Sequence, residues 1–135
     1  MKIGKCACGD IEFGFTGEPL STYFCCCLEC QKVSGSDKIL INAIPSDNFK
    51  QIKGAPSTYS RLGKSGNRVT NYFCSNCGIV VYAKPDAVDF YGAPVVRLEN
   101  PEDYKPQYAI HTTVVPSWSI IPEGIRCFED TPHGK

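Results

Sequence analysis

Apolar and polar residues alternate along this chain in short runs with a period of two. Ile11-Glu12-Phe13-Gly14-Phe15 puts an apolar side chain on every second position, and Arg68-Val69-Thr70-Asn71-Tyr72-Phe73 and part of Lys38 to Ile44 follow the same period less strictly. Ile79-Val80-Val81-Tyr82 and Tyr108 to Val115 are rich in β-branched and aromatic residues. Both patterns predict strands that bury one face. Turn-forming residues separate them, at Gly17-Glu18-Pro19, Pro45 to Asn48, Gly54-Ala55-Pro56, Gly63 to Asn67, Lys84-Pro85-Asp86 and Asn100 to Asp103. Ten prolines and twelve glycines interrupt any long helical period, leaving at most a helical turn near Pro101 to Tyr104. The pattern predicts one all-β domain spanning residues 1–135, with short knuckles of chain at its edge.

A chain of 135 residues suits a single core. The hydrophobic fraction of 42% includes cysteine, so the remaining apolar content is modest and cross-links would add to stability. The cysteines supply the means. Eight of nine fall into three groups: Cys6-Ala7-Cys8, Cys25-Cys26-Cys27-Leu28-Glu29-Cys30, and Cys74-Ser75-Asn76-Cys77. Thiols at such close spacing grip one metal ion more readily than they bond each other, and paired knuckles complete a tetrahedral site.

The start of the chain carries no apolar run of signal-peptide length, and no segment approaches the roughly 20 apolar residues of a membrane span. A cytoplasmic protein with reduced thiols is therefore expected. Formal charge is balanced, with 14 basic and 14 acidic residues and no Lys/Arg run. Seven thiolates holding two zinc ions would take that balance to about −3. This argues against nucleic acid as a partner, and the hydropathy argues against a membrane.

Cys6 and Cys8, two residues apart, share a face if extended. Together with Cys74 and Cys77 they make a closed four-thiolate set suited to a structural zinc. Gly9 and Gly78 follow these pairs and let the backbone turn its N–H groups toward sulfur. A redox Cys-x-x-Cys is the competing reading, but such a motif opens a helix, and Ile79-Val80-Val81 reads as a strand.

In the second group Cys25, Cys27 and Cys30 converge easily, and no fourth ligand is evident. Three protein ligands and an exchangeable position make a catalytic arrangement. Three alternatives stay open. Cys26 can rotate in, His111 or Cys127 can arrive from afar, or the group is a thiol patch without metal.

Other candidates have two readings each. Lys32 is either a cation for a ligand carboxylate or a solvated surface lysine, and Gln31 either contacts a ligand or caps a turn. His111 is either a packed core histidine or a general acid–base group. Trp118 reads as a core anchor, Cys127 as a free and partly buried thiol, and His133 as part of a disordered end.

The residues Gly4-Lys5-Cys6-Ala7-Cys8-Gly9-Asp10-Ile11-Glu12-Phe13, Cys25 to Gly35 and Tyr72-Phe73-Cys74-Ser75-Asn76-Cys77-Gly78 resemble the glutathione-dependent formaldehyde-activating enzyme family, whose domain is shared with centromere protein V. His111 with Pro116-Ser117-Trp118, and Pro122-Glu123-Gly124 with Phe128, look like the family's closing motifs. The resemblance implies a β-tent of antiparallel sheets leaning over zinc. It implies a structural zinc on Cys6, Cys8, Cys74 and Cys77, and a second zinc on Cys25, Cys27 and Cys30 near the active site. It also implies a carbon–sulfur lyase that interconverts S-hydroxymethylglutathione with formaldehyde and glutathione. Where the family usually has a histidine between the first two cysteines of the second motif, this chain has Cys26. A non-catalytic zinc module that binds a thiol or a protein partner is the alternative.

Overall fold

Strand alternation sorts the side chains of two sheets. A three-stranded antiparallel sheet contains β1 (Lys2–Lys5), β2 (Glu12–Phe15) and β5 (Phe49–Lys53). An eight-stranded sheet contains β3 (Ser21–Cys25), β4 (Ile39–Pro45), β6 (Ser57–Leu62), β7 (Arg68–Phe73), β8 (Val80–Pro85), β9 (Phe90–Pro94), β10 (Tyr108–Ile110) and β11 (Arg126–Cys127). Its order is β11-β10-β3-β4-β9-β8-β7-β6. This computed structural model describes residues 1–64 and 66–132, so Ser65 and His133 lie outside the described residues. Among the described residues no helix is long and apolar enough to cross a membrane.

The mostly-β fold and the five predicted strand regions are present, with two differences. The sheets are antiparallel except at one edge, where β10 runs parallel to both β3 and β11. The predicted strand over Tyr108 to Val115 stops at Ile110, because His111 turns the chain into the left-handed region at φ 55° and a 3-10 turn follows at Thr112–Val114. One helix was not expected. The seven residues of α1 (Leu28–Ser34) make barely two turns, too few to show a 3.6-residue period. Local capping starts and stops the helix instead. The Cys27 side chain accepts the Cys30 N–H at its start, and Gly35 ends it at φ 67°.

The period-two alternation on β4 divides two cores. Leu40 and Ile44 face one, while Ile41 and Ala43 face the other. The first core joins the sheets: Phe13 and Phe15 from β2 are fully buried with Ile44 and Val81 from the large sheet. Rings stack through it, with Phe13 5.6 Å from Phe49 and Phe49 4.0 Å from Tyr91. Gly4 is required here, since a Cβ would lie 2.3 Å from the Phe13 ring. The second core gathers Tyr23, Cys25, Ala43 and Ile110.

Two expected core residues are outside. Trp118 is 65% exposed, because it sits in the Pro116–Ser119 turn rather than on a strand. Cys127, expected to be partly buried, is exposed on the two-residue edge strand β11.

Replacing Phe13 with Ala should cost about 3–5 kcal/mol, because the ring's neighbours belong to two sheets and cannot collapse around the cavity. Urea unfolding followed by circular dichroism reads this directly. A loss below about 1 kcal/mol would show that the ring does not join the sheets.

Candidate functional site

Each knuckle is a turn hung from the end of a strand. Cys6 follows β1, and Cys74 follows β7 just before the turn to β8. Cys6 N–H donates to Ile11 O at 3.1 Å, and Cys74 N–H to Ile79 O at 3.0 Å. These bonds close the loops and turn other amides onto sulfur. Ile11 N–H donates to Cys6 Sγ at 3.3 Å, and the Ile79 N–H foremost holds the Cys77 thiol down at about 6. Gly9 and Gly78 take φ 84° and 79°, conformations that glycine adopts without strain. Cys6 and Cys8 thus meet through a loop rather than along the strand face that their spacing suggests.

The four sulfurs of Cys6, Cys8, Cys74 and Cys77 all lie within 4.8 Å of one another. Cys8 Sγ is 3.7 Å from both Cys6 Sγ and Cys74 Sγ. Tetrahedral bonds of about 2.3 Å to zinc separate sulfurs by about 3.8 Å, whereas a disulfide needs about 2.05 Å. All nine cysteines are free thiols. The spacing fits a metal ion and does not fit a disulfide.

The second cluster is built on a strand-to-helix junction. Cys25 ends β3, Cys27 caps α1, and Cys30 lies in its first turn. Their sulfurs also lie within 4.8 Å of one another, with Cys25 Sγ 3.6 Å from Cys27 Sγ. The Cys30 N–H reaches Cys27 Sγ at 3.3 Å. Cys30 lends its S–H to Cys25 and to Cys27, and Cys25 lends its own to Cys27, which lowers the Cys27 thiol and raises the other two. The cluster therefore surrenders its first proton easily and the others reluctantly, as expected of thiols that share one negative charge.

No fourth Cys, His, Asp or Glu donor joins the three among the described residues. Cys26 is fully buried and stands outside the group, and burial pushes its thiol up to about 11. Cys127 and His111 also stand outside. A protonated His111 would favour the Cys27 thiolate, and the His111 side chain is mostly buried at 20% exposure.

The remaining predicted residues sit along α1. Gln31 Nε2 donates to Cys26 O and Val114 O, both at 3.0 Å, so both its amide hydrogens serve the backbone. Lys32 is exposed and lies 3.8 Å from Glu29. Several residues that shape the region carried no motif. Arg61 on β6 reaches Glu29 at 3.8 Å, Lys64 pairs with Asp130, and Asp130 Oδ1 is 4.0 Å from His111 Nδ1. Asp37 binds Lys38 Nζ at 2.7 Å and Ser119 Oγ at 2.6 Å. Lys38 also donates to Ile120 O at 2.9 Å, so this buried pair straps the Trp118 turn against the chain that follows α1. The Arg61–Glu29, Lys64–Asp130 and Asp130–His111 approaches join distant positions and have no local sequence signal.

Compared with known proteins, residues 1–114 match the family model described as glutathione-dependent formaldehyde-activating enzyme. Among solved structures, the chain is similar to a crystal structure of a Rhodobacter sphaeroides protein from the Northeast Structural Genomics programme. The two share 23% identity with a TM-score of 0.58, over 75% of this chain and 93% of that one. That likeness concerns the fold. No curated protein matches.

Lys38, then Ser119 and Ser36, hold the Asp37 carboxyl far below its ordinary range by donating to it. A depressed carboxyl stabilises the fold above its unfolded pKa of about 4 and loses that contribution as pH falls below it. Asp37→Ala should cost about 3 kcal/mol at pH 7, because it leaves Lys38 buried without its charge partner. Asp37→Asn should remove part of the wild-type stability loss below about pH 4, and parallel acid melts would reveal it.

Proposed function

The chain belongs to the glutathione-dependent formaldehyde-activating enzyme family, and we propose that it is a cytoplasmic, zinc-dependent carbon–sulfur lyase acting on a glutathione–aldehyde adduct of the S-hydroxymethylglutathione type. The observation that carries this reading is the Cys25, Cys27 and Cys30 cluster, in which three sulfurs converge with no fourth side-chain donor. Cys6, Cys8, Cys74 and Cys77 would hold a structural zinc, since they form a complete set of soft ligands at tetrahedral spacing. Zinc on the three-thiol cluster would act as a Lewis acid, raising the ionised fraction of a substrate thiol or polarising a carbonyl.

The chain's own residues would do the rest. His111, which follows the strand paired with the one that ends in Cys25, accepts the hydroxyl proton of the adduct. The oxygen electron pair then forms the carbonyl as the carbon–sulfur bond breaks, and the thiolate leaves with the bonding pair. Return of the proton from His111 gives free thiol and aldehyde, so the residue ends as it began. The reverse sequence adds the thiol to the aldehyde. Gln31 holds the Val114 segment in place through its amide hydrogens, and its carbonyl oxygen remains for a ligand contact. Lys32, exposed on the same helix, offers a cation to a glutathione carboxylate.

Native mass spectrometry of the purified chain should show two zinc ions. Cys27→Ser should lose one and keep the fold, whereas Cys74→Ser should lose the other and unfold the domain. The zinc-loaded protein should accelerate adduct breakdown over the spontaneous rate. His111→Gln should lower kcat by about 100-fold with zinc content unchanged. One zinc per chain and no acceleration with glutathione and formaldehyde would instead identify a non-catalytic metal module.

A further inference from the structure

His111 is the only non-glycine among the described residues with a positive φ, at 55°. Such a backbone persists only where its surroundings impose it. Here the chain around β11 imposes it. Asp130 O accepts the His111 N–H at 2.8 Å, and Phe128 O accepts the Thr112 N–H at 3.2 Å and its hydroxyl at 3.0 Å. Phe128 N–H in turn donates to Ala109 O at 2.9 Å. The same segment also addresses the ring, with Asp130 Oδ1 at 4.0 Å from Nδ1, an ion-pair distance. That carboxylate oxygen is held from the other side by Lys64, in the turn between β6 and β7. None of this segment lies in the part of the chain that matches the family, residues 1–114.

We propose that Asp130, clamped by Lys64, is a positioning residue that keeps a proton on His111 Nδ1 and leaves Nε2 as the atom that accepts one. A negative charge facing Nδ1 favours the tautomer whose N–H points toward it. The opposite ring nitrogen then points away from Asp130 and is left unprotonated. Asp130 after β11 faces the ring directly, and Lys64 from the hairpin turn acts on it through that carboxylate. The Lys64–Asp130 pair is partly exposed, with side chains 70% and 35% accessible, and exposed pairs contribute little to stability. Its effect should therefore fall on the histidine rather than on the melting point.

This inference rests on reading His111 as the proton carrier, and the test separates the two. The zinc-loaded full chain is labelled with 15N-histidine, and long-range proton–nitrogen NMR reports the tautomer of each ring. The chain has two histidines, so His133 serves as the internal reference. His111 in the wild type should carry its proton on Nδ1. Asp130→Asn, which preserves shape, should shift the population toward Nε2–H. It should also lower kcat about 10-fold to 100-fold with KM nearly unchanged. Asp130→Glu, which keeps the carboxylate, should restore the tautomer. An unchanged tautomer in Asp130→Asn overturns the proposal, whatever happens to turnover. A shifted tautomer with unchanged turnover upholds the positioning and removes His111 from the reaction.

Discussion

Close approach of sulfur atoms is the constraint on which the rest of this molecule depends. Cys8 and Cys74 stand 66 residues apart in sequence and 3.7 Å apart at their sulfurs. Ionised thiols at that distance repel one another unless something opposes the charge. Backbone amides supply part of the opposition, from Ile11 to Cys6 and from Ile79 to Cys77. A metal ion would supply the remainder. The knuckles come from the end of β1 in the small sheet and the end of β7 in the large one, so their union fixes how the sheets lean. The rings of Phe13, Phe49 and Tyr82 fill the space that this union encloses.

The two cysteine clusters belong to different cores. Cys6 and Cys74 are buried with Phe13 and Ile44, and Cys77 packs against that group. Cys25 is buried with Tyr23 and Ile110, and Cys27 and Cys30 pack against them. The alternation of β4 keeps these environments on opposite faces of one sheet. The cluster with four sulfurs occupies the core that joins the sheets. The cluster with three occupies the core completed by β10 and the chain around β11. His111 and Asp130 come from that late stretch, which contributes little regular structure of its own.

What could be read from the sequence follows from how local each feature is. Strands with β-branched or alternating residues, such as Arg68 to Phe73, announce themselves. β6, built from Ser57-Thr58-Tyr59-Ser60-Arg61-Leu62, does not, because it is an edge strand with few buried side chains and no alternation to read. The cysteine groups were legible because ligand spacing is a local code. The helix that carries Cys30 was not, since a cap by Cys27 and a stop by Gly35 replace periodicity. Trp118 was misplaced because ring size suggests burial, whereas the Asp37–Lys38 strap fixes the backbone around it and leaves the ring outside. Asp130 and Lys64 carry no signal at all, since only the folded chain brings positions 66 residues apart together.

Separate cores also bear on how such a protein can change over evolutionary time. A substitution at Cys30 or in the chain around His111 alters one face of the large sheet. The packing that joins the sheets lies on the other face. Changes on the first face therefore leave the packing between the sheets in place. Cys6 and Cys74, by contrast, are buried within the packing that joins the sheets, and Cys77 packs against it. A change at one cysteine cluster therefore reaches the other only across a single strand, β4.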